Sequence, residues 1–177
     1  MATPVTPRME QDTLPQQTLY LAFALGKNTW KLGFTIGVAQ QPRERTIPAG
    51  DLALLQQEIA RAKQRLGLPK DARVVSCYEA GRDGFWLHRY VTAHGIQNHV
   101  IDAASIEVNR RQRRAKTDRL DVPKLLTMLL RHMAGERKVW SVVRVPSVDE
   151  EDRQQLHREM LTATQDGTRG INRIKGL

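Results

Sequence analysis

Cysteine is nearly absent from this chain: Cys77 stands alone, which excludes an internal disulfide and a cysteine-built metal site. Its setting, Val74-Val75-Ser76-Cys77-Tyr78, points to a buried strand thiol rather than a reactive one. The five histidines (His88, His94, His99, His132 and His157) have no spacing that assembles a metal site and read as surface or partly buried residues. No stretch approaches the roughly 18 apolar residues that would span a membrane, and the amino-terminal residues lack the apolar region of a signal peptide. These absences lead to the expectation of a cytoplasmic protein without a membrane partner.

Charge of one sign is not scarce. Lys and Arg number 28 against 19 Asp and Glu, a net charge of +9, which points to a polyanionic partner, most often nucleic acid. With 40% hydrophobic, 27% charged and 5% aromatic residues, the 177-residue chain has a globular balance. Its length suits one domain with an appendage.

Residues 1–17 are rich in Pro, Gln and Thr and read as a disordered leader. Leu19–Leu25 is apolar on both faces, as in the middle of a sheet. After a turn at Gly26-Lys27-Asn28, Trp30, Leu32, Phe34 and Ile36 alternate with Lys31, Gly33 and Thr35 in a second strand, and Arg43–Ile47 reads as a third. Asp51 is an N-cap for a helix with the stripe Leu52, Leu55, Ile59, Ala62 and Leu66, stopped by Gly67. A buried strand over Arg73–Tyr78 ends at Glu79, a short helix spans Gly84–His94, and Asn98–Ile101 is a strand ending at Asp102. In the short helix Trp86, Tyr90 and Val91 read as core. Gly81-Arg82-Asp83-Gly84 ahead of it reads equally as a plain turn or as a phosphate cradle.

The stretch Arg110 to Asp121 holds the densest chemistry. Arg110, Arg111, Arg113, Arg114 and Lys116 are five cations in seven residues, followed by Asp118 and Asp121. Cations without interleaved aromatics suit contact with backbone phosphates. Two acids three apart share a helix face and could converge on a divalent cation, and Mg2+ is held by one or two carboxylates plus phosphates. The plainer reading is a solvated basic loop entering a helix whose first turn is acidic. That helix carries Leu125, Leu126, Leu129 and Met133 towards the core. With Pro123 confined to a first turn, it is expected to start near Arg119 to Asp121. From Ser147, a last helix has a thin apolar stripe, Leu156, Met160 and Ala163 towards Ile171 and Ile174. The stripe is interrupted by Gly167 and Gly170 and stops at Leu177 without a cap. Such a helix calls for a partner.

Three strands, helix, strand, helix, strand, helix is the order of a ribonuclease H-like α/β fold, a mixed sheet with flanking helices. Cys77-Tyr78-Glu79-Ala80-Gly81 followed by Arg114-Ala115-Lys116-Thr117-Asp118-Arg119-Leu120-Asp121 resembles the DEDD transposases of the insertion sequence one-ten family, RuvC-like recombinases of which some are guided by a bridge RNA. The resemblance covers roughly residues 19–177. It implies a RuvC-like domain over 18–140 and, over 147–177, the start of a coiled-coil linker, with the expectation that the family's serine-bearing domain is not included. It further implies Mg2+ held by the catalytic acids Glu79, Asp118 and Asp121, nucleic-acid contact through Arg110, Arg111, Arg113, Arg114 and Lys116, and DNA and a structured guide RNA as partners. Self-association through the last helix is implied as well. Ala24 stands where the family has its first acid, and alanine cannot ligate a metal. The expectation is therefore a truncated, inactive form in which an acid has been replaced. The alternative is a ribonuclease H-like module that binds nucleic acid or scaffolds assembly without chemistry.

Overall fold

The computed structural model describes residues 17–81, 85–105, 121–136 and 138–176; the expected leader lies almost wholly outside them. The chain divides into two units, residues 1–143 and 144–177.

The first unit is an α/β layer structure on a five-stranded mixed sheet. Strands β1 (Leu19–Leu25), β2 (Thr29–Thr35), β3 (Arg43–Pro48), β4 (Val74–Glu79) and β5 (Gln97–Ile101) lie in the order β3-β2-β1-β4-β5. The meander β1-β2-β3 is antiparallel, and β1, β4 and β5 run parallel. β1 is thus central, as its two apolar faces require. The Gly26 N–H donates to the Thr29 carbonyl and closes the turn into β2. β3, an edge, is blunted by exposed Arg43, Glu44 and Arg45. Beyond β5 the other edge is partly covered, because Val142 bridges Ile101 and the Val143 N–H donates to the Val100 carbonyl.

Helix α1 (Leu52–Arg65) is capped as expected, the Asp51 carboxylate accepting from the Leu54 N–H at 2.9 Å. Gly67, at φ +70°, ends it in a conformation glycine adopts without a Cβ penalty. Its buried face includes Glu58, held by Arg61 at 2.6 Å and by Arg45 of β3 at 3.6 Å. Helix α2 (Trp86–Ala93) buries Leu87 and Val91 but leaves Trp86 40% exposed. The expectation that Trp86 is core is therefore corrected: an eight-residue helix can turn only one face to the sheet, and Leu87 and Val91 take it.

Helix α3 (Val122–Met133) lies over the opposite face. Val122, Leu125, Leu126, Met128 and Leu129 pack with Ala22, Val75, Cys77 and Ile101, and with Val139 and Trp140. Gly33 makes the close approach possible: a Cβ there would sit 2.0 Å from Val122 Cγ1 and 2.9 Å from Leu126 Cδ1.

The second unit is α4 (Val148–Lys175), with no buried residue. Ser147 accepts from the Glu150 N–H, and Glu150 accepts in return from the Ser147 N–H, a complete capping box. The helix continues through Gly167 and Gly170. It ends on Gly176 as C-cap, whose N–H donates to the Asn172 carbonyl; the expectation of an uncapped end is corrected here. A glycine costs an interior helical turn about 1 kcal/mol, which two can impose without breaking a long helix. No helix among the described residues is long and apolar enough to cross a membrane.

Candidate metal and nucleic-acid site

The parallel strands bring their carboxyl ends together, where ligands of such sheets gather. Phe23 pairs with Tyr78, so one step further the register sets Ala24 beside Glu79, and Glu79 pairs in turn with Ile101. Ala24 also pairs with Lys31 across the antiparallel ladder. Side chains alternate along a strand. Ala22 and Ala24 therefore share their face with Cys77 and Glu79, and it is the face that α3 covers. The row along this edge reads Lys31, Ala24, Glu79, Ile101. Glu79 is half-buried and has no hydrogen bond or ion pair to another side chain among the described residues.

Asp121 enters on the same side of the sheet. It is the N-cap of α3, extended at φ −61° and ψ 143°, and its carbonyl accepts from the N–H groups of Lys124 and Leu125. Its exposed side chain caps nothing, which leaves the carboxylate available. The helix opens at Val122, so Asp121 is not a residue of its first turn, and Pro123 falls in that turn, where a missing N–H costs little. Because Val122 rests on Gly33, Asp121 begins its approach over β2, and Gly33 is two residues along the same strand face from Lys31.

The structure therefore brings Ala24 and Glu79 side by side and sets Asp121 on their face of the sheet. Asp118, Arg110, Arg111, Arg113, Arg114 and Lys116 lie outside the described residues, as does Asp83. Among the described residues no three His, Cys, Asp or Glu form a group able to hold a metal ion. Glu79 and Asp121 nevertheless supply the hard oxygen donors Mg2+ takes, and it commonly uses only one or two carboxylates. Asp102 is occupied locally: its carboxylate accepts from the Ala104 N–H at 2.9 Å and its N–H donates to the Ser141 carbonyl.

Cys77 is fully buried, and burial pushes its thiol well above the ordinary range; the inert strand thiol is what the fold contains. The histidines are less scattered than their spacing suggests. His99 of β5 and His132 of α3 meet edge to face at 5.3 Å, and His132 lies 5.5 Å from the Trp140 ring. His88 bonds Asn98 at 3.0 Å, and Asn98 accepts from buried Ser76 at 2.7 Å. Desolvation lowers the pKa of His99, reinforced by His132, His88 and Arg73; His88 is lowered by desolvation and then by Arg89. No periodicity announces these contacts, since each joins residues on different elements.

No family model matches the chain, and no solved structure does. Over 162 residues it is 36% identical to the "Putative transposase y4rJ" of Sinorhizobium fredii (strain NBRC 101917 / NGR234). The alignment takes in 90% of this chain and 41% of that relative. The chain is similar, through nearly all of its length, to less than half of a protein named as a transposase.

Proposed function

We propose that this chain is the ribonuclease H-like, RuvC-like region of a DEDD transposase, acting in DNA transposition with Mg2+ as cofactor. Its similarity to a protein named as a transposase supports the reaction class. The strand order, an antiparallel meander continued by parallel βα units, supports the fold. The observation that carries the site is the register that sets position 24 beside Glu79 on the α3 face, with Asp121 at the N-cap position of that helix and its carboxylate uncommitted there. Glu79, Asp118 and Asp121 would hold the metal. A divalent cation there would neutralise charge developing on a transferring phosphate. Arg110, Arg111, Arg113, Arg114 and Lys116 would contact backbone phosphates, and Lys31 stands at the same edge. A structured guide RNA and pairing of α4 with a second copy rest on the resemblance of the sequence motifs.

Ala24 favours a second reading for this chain as it stands: a module that binds nucleic acid without cutting it, since a methyl group replaces a ligand on the central strand. One experiment separates the two. Thermal melts of the chain and of its Ala24→Asp and Ala24→Glu variants, with and without Mg2+, should show a larger metal-induced rise in Tm for the variants, because only the folded site binds the ion. Without metal the variants should melt slightly lower, since grouped carboxylates repel. Equal metal-induced shifts would remove position 24 from the site.

A further inference from the structure

A cavity of about 260 Å³ opens at the β1–β2 turn, on the sheet face opposite Glu79, lined by Leu25, Gly26, Lys27, Trp30, Trp86 and Leu87 among others. Of its two tryptophans, Trp30 is buried at 4% exposure, whereas Trp86, its ring centre 5.8 Å away and tilted by 35°, is 40% exposed. We propose that this cavity takes one unpaired nucleobase of a single-stranded nucleic acid, stacked on the Trp86 indole, with the Lys27 ammonium at the adjoining phosphate. The proposal rests on the nucleic-acid reading above and adds to it which form is bound and where.

Three observations carry it. An exposed tryptophan beside a cavity offers a large flat apolar surface that the fold has not used, and a base stacks on such a surface whatever its sequence. The volume falls below the roughly 300–1,000 Å³ of pockets that take drug-sized ligands, which suits one flat ring system. The charge is right for a polyanion: Lys27 lines the cavity, and the chain carries a net +9. Leu25, a lining residue, directly follows Ala24 at the carboxyl end of β1. A strand crossing this edge would place a phosphate on the Glu79 face and its neighbouring base on the Trp86 face. A paired base cannot enter, because its ring faces are already stacked in the duplex.

The test compares a short thymidine oligomer with an abasic oligomer of the same phosphate count, titrated against the whole chain by anisotropy and tryptophan fluorescence. The thymidine oligomer should bind about tenfold more tightly, as one base–aromatic stack provides. Trp86→Ala should abolish that preference while leaving abasic binding unchanged, which also reports an intact fold, and Trp86→Phe should keep most of it. Equal affinity for both oligomers, or a Trp86→Ala loss equal for both, overturns the pocket while nucleic-acid binding stands. Absence of binding by either oligomer overturns both readings.

Discussion

The sheet unit and α4 dispose of their apolar side chains in opposite ways. Among the described residues up to Val143, most large hydrophobics are buried on the two faces of one sheet, with Val38, Trp86 and Val142 as exposed exceptions. In α4, Leu156, Met160, Leu161, Ile171 and Ile174 are 50–73% exposed. The bonds that hold each unit differ accordingly. α4 relies on local ones: the Ser147–Glu150 capping box, the Arg144–Glu150 and Arg169–Asp166 pairs, and Thr162, Thr164 and Thr168 donating to carbonyls one turn back. Exposed ion pairs contribute little each. Twenty-eight residues exceed the roughly 12–15 below which isolated helices are marginal in water, yet length does not supply burial. Stability in the first unit comes from tertiary packing, and in the second from propensity and whatever covers its apolar side chains.

The widest gap should appear between two leucines. Leu129, fully buried on the sheet-facing side of α3, should cost about 2–5 kcal/mol when changed to alanine, through lost transfer energy and the cavity left behind. Leu156→Ala in α4 should change stability by no more than about 0.5 kcal/mol. Urea unfolding followed by near-ultraviolet signals from the sheet unit measures both. A comparable loss at Leu156 would mean that the two units unfold as one.

Gly33 tests how tightly α3 is seated. Gly33→Ala drives a Cβ into Val122 and Leu126 and should destabilise by about 1–3 kcal/mol, the usual cost of overpacking. Adding Val122→Ala removes the nearest obstructing atom, so the double variant should recover part of the loss, a coupling expected only of residues in contact. Additive losses would put Val122 elsewhere.

Most of this architecture is legible in the sequence because it follows short-range rules. Alternation in β2, the Asp51 cap and the leucine spacing of α3 each use a period of two or of 3.6 residues and a local cap. What is not legible depends on long-range packing. Nothing near Gly33 signals that a helix ninety residues later will rest on it. Val139 and Trp140 join the α3 core from a segment without periodicity. Trp86 sits at helical spacing with Tyr90, and only the direction in which α2 faces the sheet exposes it. For the site, the strand end at Glu79 is readable from the chain, whereas its register against Ala24 needs the sheet.

Gly167 and Gly170 sharpen the contrast from the other side. A Cβ added at either meets nothing within 4 Å, so alanine there should strengthen α4 by roughly 0.5–1 kcal/mol each. Far-ultraviolet ellipticity and its thermal loss would show the gain. If α4 pairs closely with a second copy through these glycines, the double alanine variant should instead lose association, visible as a sedimentation coefficient that no longer rises with concentration.

The smallest effect concerns pH and belongs to the sheet unit alone. The Arg73 guanidinium donates to Gln97 Oε1, which fixes the amide so that Gln97 Nε2 faces His99 Nε2 at 3.1 Å. An amide N–H can only donate, so His99 Nε2 must accept, and this holds only for the neutral ring. Burial disfavours the charged form further, and His132, His88 and Arg73 add to it, so the folded pKa lies below the ordinary 6.5. A depressed folded pKa means that the unfolded chain binds more protons below about pH 6.5. The stability contributed by neutral His99 is therefore complete above that pH and lost as pH falls towards the folded value. His88, lowered in the same direction by desolvation, should contribute a parallel loss. His99→Gln removes the titration while keeping a hydrogen-bonding group beside Gln97. Its unfolding free energy should fall less steeply than that of the native chain between neutrality and pH 5, with a residual slope left to His88. Identical slopes would mean that protonated His99 is accommodated without loss, and that Gln97 turns its amide over when the ring gains its proton.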